Sequence, residues 1–299
     1  MTGEYVLGVA LAVGSGVFFQ VGSLLQKKAV NDVSPEARKS GFMRALVKRP
    51  VWILGIICQF GLGAVAFVLA QKIIGPALVP GLTAAGFIVL AVGSVRMLGE
   101  SLNRVEYLGI AVMIGGVFFL GISGLGIDIA TVVALLRIPD VQLRIALFTA
   151  ALTILWGGLL LASLKSRTRK GIIMALSGGF PYGIMNFWIS LLIAAILTIT
   201  GGRGTILEIT VLIVAGVILA VTNVLGVWQM QVTFKYTQAS NSVPVHGIAI
   251  QVSPIFVYFA VFSLRPGDAM SGVYIVVGAL LVIISGFLLS RRKAAMEPV

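Results

Sequence analysis

The chain reads as an all-α polytopic membrane protein of nine transmembrane helices, arranged as two inverted four-helix repeats joined by one extra span. Composition, the length of its uncharged runs and the distribution of its basic residues lead to that reading. Of 299 residues 59% are apolar and only 11% charged, with a mean hydropathy of +1.07, whereas a soluble domain is about 25% charged. The uncharged stretches are about as long as a bilayer is thick, which excludes the soluble enzyme classes. Cys58, the single cysteine, sits inside an apolar run, so no intramolecular disulfide and no cysteine metal cluster is possible.

Runs of apolar residues predict spans over 5–25, 50–71, 73–96, 105–124, 143–164, 171–199, 206–231, 236–263 and 271–290. No Lys or Arg precedes the first run and its apolar core is longer than that of a cleavable signal, so it is expected to remain as a span. The polar segment 26–49 is expected on the membrane surface as a short helix, capped by Ser34 with Pro35 in its first turn. Phe42, Met43, Leu46 and Val47 should then face inward and the basic residues the headgroups.

Threading nine spans alternately puts 17 of the 22 Lys and Arg residues on one side, and only Lys72, Arg137, Arg144, Arg203 and Arg265 on the other. By the positive-inside rule the amino terminus is outside and the carboxyl terminus cytoplasmic, most simply in the cell membrane. The formal charge of +12 is therefore a topology signal, with anionic lipid at the cytoplasmic face as its partner and nucleic acid not expected.

Laid on itself at an offset of 163, the chain pairs Gly8 with Gly171, Gly14-Ser15-Gly16 with Ser177-Gly178-Gly179, Phe19 with Tyr182, Ser23 with Asn186 and Lys72 with Lys235. At slightly larger offsets Pro80 meets Pro244, and Gly99-Glu100 meets Gly267-Asp268. That order predicts a duplicated unit: residues 1–124 and 171–299, joined by a linker and the fifth span over 125–170. The odd crossing inverts the second unit. Inverted repeats are the common construction of secondary transporters, with the site near the midplane between the units.

Each unit carries an irregularity at its third span: Gln71, Lys72, Gly75, Pro76 and Pro80 in one, Lys235, Gln238, Asn241, Ser242 and Pro244 in the other. Proline removes a backbone donor, and broken helices persist only inside protein or beside a wet cavity, so Pro80, Pro181 and Pro244 are expected helix breaks or gates. The sixth run, with Ser177-Gly178-Gly179, Tyr182 and Asn186, is long enough to be tilted or broken. His246, the only histidine, is an ionisable residue within a span and so a candidate by default. Ser15, Gln20, Thr83, Tyr182, Asn186, Asn241 and His246 are the expected substrate-orienting groups. The ten carboxylates all fall at span ends, loops or tails, and no metal set, P-loop or nucleophile elbow appears, so neither enzyme activity nor a cofactor is expected.

The string LAQKIIGPALVPGLTAAGFIVLAVGSVRMLGESLNRVEYLGIAVMIGGVFFL, together with FKYTQASNSVPVHGIAIQVSPIFVYF, resembles paired elements of the drug/metabolite transporter superfamily. The likeness covers most of the chain, and its members include EamA-type carriers. The NIPA-like magnesium transporters are similar in topology, with nine spans and a basic segment after the first, here Gln26-Lys27-Lys28. The resemblance implies a central cavity, alternating access and a small polar or amphipathic substrate, in a monomer or homodimer. The alternatives are a magnesium pathway and a lipid-handling or structural membrane protein.

Overall fold

The computed structural model describes residues 2–74, 79–125, 127, 129–166 and 168–290. Among them, nine helices are long and apolar enough to cross a membrane: Glu4–Asn31, Pro50–Ile74, Gly81–Leu98, Arg104–Ile122, Pro139–Lys165, Lys170–Thr200, Ile206–Phe234, Ala239–Val261 and Ala269–Leu289. These are the first to ninth spans below, and they make the chain a multi-pass integral membrane protein.

The expected boundaries shift at the first and third spans. The first helix runs on to Asn31, so Gln26, Lys27 and Lys28 are helical and do not belong to a surface segment. Residue 73 belongs to the second span. Gly75 and Pro76 lie outside the described residues, Pro80 lies in the five-residue helix Val79–Thr83, and a turn at Ala84 and Ala85 precedes the helix Gly86–Leu98.

Two short helices, Pro35–Lys39 and Phe42–Leu46, replace the single expected surface helix. Ser34 caps the first of them, its Oγ accepting the Ala37 amide at 3.4 Å with Pro35 at the first helical position. Gly41, at φ 77°, makes the left-handed turn into the second. Phe42 and Leu46 are buried as expected, but Val47 is 43% exposed because the helix has already ended there. Arg38 donates to the carbonyls of Val30, Asn31 and Val33, which covers the open carboxyl end of the first span.

The first span packs on the second and third, the sixth on the fifth, seventh and eighth, and the fourth on the ninth. Between helices in lipid there is little hydrophobic drive, so association rests on close packing and hydrogen bonds. At the tightest crossing, a Cβ on Gly16 would strike the Thr83 carbonyl, and one on Gly86 the Gly16 carbonyl. The fourth and ninth spans run antiparallel along their length: Gly109 faces Leu289, Gly116 faces Val282, and Gly278 faces Leu120.

The expected breaks at Pro181 and Pro244 are absent from the structure. Both prolines sit inside continuous helices, Lys170–Thr200 and Ala239–Phe256. Pro244 falls in the second turn of its helix, where the missing donor deprives a single carbonyl of its partner. The irregularities fall instead in two π-helical stretches, Ile57–Gly63 of the second span and Val257–Val261 of the eighth. Such widened turns frequently mark functional positions.

Gln229 is fully buried and joins three spans. It accepts from Trp156 Nε1 at 2.6 Å, and its amide donates to the Met174 carbonyl at 3.2 Å and to Ser177 Oγ. Gln229→Leu would strand the Trp156 N–H at a cost of about 1–3 kcal/mol. The expected result is a melting temperature several degrees lower in detergent, with the elution profile unchanged.

Candidate functional site

At one end of the bundle, the connection between the seventh and eighth spans is clamped by opposite charges. Lys27 Nζ donates to the carbonyls of Phe234 at 2.5 Å and Thr237 at 2.9 Å, placing a cation on the carboxyl end of the seventh span. The Glu100 carboxylate accepts the amides of Ala239 at 2.7 Å and Ser240 at 3.0 Å, placing an anion on the amino end of the eighth. Each charge opposes the partial charge of the helix end it meets. Lys27 and Glu100 are 7% exposed, so little solvent screens them.

Glu106 extends the clamp. It closes a capping box with Asn103 at the start of the fourth span, while its Oε1 accepts from Asn241 Nδ2 at 2.9 Å. Lys235 Nζ donates to the Arg38 carbonyl at 2.9 Å and lies 4.6 Å from the centre of the Phe42 ring. Gln26 links both halves of the chain, donating to Gln59 Oε1 and accepting from Gln231 Nε2, each at 2.5 Å.

A second grouping is aromatic. The Tyr182 ring lies nearly parallel to Phe60, with centroids 6.5 Å apart, and edge-on to the His246 ring at 5.1 Å. Phe60 comes from the π-helical stretch of the second span. Gly226 admits the Tyr182 ring, which a Cβ would meet at 2.7 Å. His246 Nδ1 is buried without a hydrogen-bond partner among the described residues, and so are Gln20 Oε1, Gln231 Oε1 and Asn241 Oδ1. Buried polar atoms left unsatisfied are uncommon and costly, and three of these four are amide oxygens, which accept.

The expected site residues divide accordingly. Tyr182 and His246 come together, with Phe60, which no sequence signal distinguished. Gln20 lies one turn beyond Gly16 on the first span, and no described contact joins it to the aromatic group. Asn241 belongs to the clamp. Ser15 is fully buried, with its Oγ donating to the Ala12 carbonyl at 2.8 Å. Thr83 is half-buried, and its carbonyl meets Gly16. Asn186 is exposed one turn beyond Tyr182, on a face it shares with exposed Ile189 and Ile193.

Sequence reasoning passed over Lys27, Glu100 and Glu106 as site residues. The spacing of Asn103 and Glu106 is a readable capping box, but nothing local signals that Glu100 reaches the eighth span 139 residues away. The carboxylates Glu100, Glu106 and Glu208 do lie at span ends, and they are buried there at 7%, 1% and 1% exposure. Among the described residues no group of three His, Cys, Asp or Glu side chains is placed to hold a metal. Comparison with known protein families, curated proteins and solved structures finds no match.

Proposed function

We propose that the chain is a secondary transporter of the drug/metabolite type, moving a small polar or amphipathic solute by alternating access between two inverted repeats, residues 1–124 and 171–299. The observation that carries this reading is a set of matched close contacts. Gly8 meets Ile73 and Ile74, and 163 residues on Gly171 meets Tyr236 and Thr237; Gly16 meets the Thr83 carbonyl as Gly179 meets that of His246; Gly63 meets the Phe19 ring at 2.7 Å as Gly226 meets that of Tyr182. One offset relates all three pairs, which supports a repeat of packing and not merely of hydropathy.

The fourth and ninth spans support inversion. Their contacts Gly109–Leu289 and Leu120–Gly278 exchange with one another at an offset of 169, as a twofold axis between antiparallel partners requires. In the orientation of the positive-inside rule, the Lys27 and Glu100 clamp closes the cytoplasmic end between the repeats. Beyond it, Phe60 and Tyr182 offer flat ring surface beside His246, and Gln20 Oε1 on the first span is a separate unpartnered acceptor, which suits a substrate with an apolar body and a hydrogen-bond donor.

A magnesium pathway is the second reading, because the unpartnered oxygens of Gln20, Gln231 and Asn241 suit the water shell of a hydrated cation. Purified protein in liposomes separates the two, with a panel of labelled amines, amino acids and sugars in one arm and a trapped magnesium dye in the other. Saturable solute uptake, reduced at least tenfold in His246→Phe and Gln20→Leu at unchanged protein content, is the expected result. Lipid scrambling with no saturable solute would overturn transport altogether.

A further inference from the structure

Away from that site, the fifth and seventh spans diverge over the sixth and leave a lateral groove of about 610 Å³. Trp188 and Leu191 of the sixth span form its floor, and both are buried. All but one of its lining residues, Leu136, belong to membrane spans, so the groove opens into hydrocarbon.

The polar side chains in its wall are already engaged within the protein. Gln142 Nε2 donates to the Leu136 carbonyl at 3.0 Å, Thr149 to Ile145 at 2.8 Å, Thr153 to Thr149 at 2.8 Å, Thr210 to Ile206 at 2.8 Å, and Trp188 Nε1 to Thr149 Oγ1 at 3.0 Å. These donors are satisfied, which suits an apolar chain and not a polar solute.

The mouth is different. There Leu136 ends its helix and Leu207 lies in the first turn of the seventh span, both lining the groove, and the residues that follow them, Arg137 and Glu208, form an ion pair at 3.0 Å in which Arg137 stays 51% exposed and Glu208 1% exposed. The Arg137 guanidinium also reaches the Arg203 carbonyl at 3.4 Å, so the exposed Arg203 stands beside it. Asp140, three residues along the chain from Arg137, is exposed in the first turn of the fifth span. The exposed part of Arg137 and the exposed residue Arg203, at the span ends beside an apolar slot, match a phosphate joined to an acyl chain.

We infer that this groove is a phospholipid site of the leaflet at the Arg137 end, with one acyl chain over Trp188 and the phosphate against Arg137 and Arg203. It does not depend on the transport reading. The full-length protein, delipidated in mild detergent, would be offered phosphatidylglycerol or diacylglycerol of the same chains and weighed by native mass spectrometry. The expected result is one retained phosphatidylglycerol, bound at least tenfold more than diacylglycerol. Ala150→Phe, at an exposed wall position, should fill the slot and remove that lipid, and Arg203→Gln should narrow the preference several-fold.

A thermal melt of the unmutated protein gives a measurement that needs no variant: phosphatidylglycerol should raise the midpoint and diacylglycerol should not. Equal retention of both lipids, undiminished binding in folded Ala150→Phe, or a lipid-free dimer would each overturn the site, the last by giving the groove to a second copy of the chain.

Discussion

Glu100→Gln should open the Lys27 end of the bundle. The carboxylate accepts two amides at the start of the eighth span; a carboxamide offers one acceptor and presents an N–H₂ where the second oxygen stood, so one amide loses its partner and the helix end loses its countercharge. Losing a charge-assisted bond of this kind costs about 2 kcal/mol, which shifts a two-state equilibrium about 30-fold. Cys58 is the single native cysteine, so Ser242→Cys in a Cys58→Ser background supplies a reporter at a position that is fully buried. Labelling by a membrane-impermeant maleimide should be slow in that background and at least tenfold faster once Glu100→Gln is added. Equal rates would mean that the clamp does not hold the two halves together. Lys27→Met should act in the same direction, since it uncovers the carbonyls of Phe234 and Thr237.

Gly16→Val and Gly179→Val should each abolish monodisperse protein. At both positions a Cβ would strike a backbone carbonyl of the neighbouring span, Thr83 in one case and His246 in the other. A main-chain carbonyl cannot swing aside as a side chain can, so the helices must separate and lose the contacts along that crossing. Overpacking of side chains typically costs about 1–3 kcal/mol, and this clash lies at or above the upper end. Gly14→Ala is the control, because nothing lies within 4 Å of the position its Cβ would take. Fluorescence size-exclusion profiles should show a collapsed peak for both valine variants and an unchanged one for Gly14→Ala. A normal peak for Gly179→Val with loss for Gly16→Val would argue against equivalent crossings in the two halves.

The spans were legible because each must exclude charge for the width of a bilayer, a constraint that acts residue by residue. The glycine positions were legible too, since a crossing that admits no Cβ leaves its mark in the letter itself. Proline misled. Pro181 and Pro244 each remove one donor, but the loss of one bond does not end a helix held by its neighbours, and both helices continue through them. The π-helical stretch that presents Phe60 left no signature, because Ile57, Gln59 and Phe60 suit an α-helix equally well. The clamp was hidden for a different reason: the partners of Lys27 lie 207 and 210 positions away, and no local pattern encodes a contact made by chain topology.

The fifth span has the least buried window of the nine, at 11%, with Leu143, Leu147, Ile154 and Leu161 turned outward. Besides holding Gln229 through Trp156 and walling the groove, it sets parity during biosynthesis. As the nascent chain is threaded, that crossing decides on which side residue 170 emerges, and every later helix inherits the choice. Deleting the span would deliver the second half upside down, with Ala239 at the wrong surface to meet Glu100.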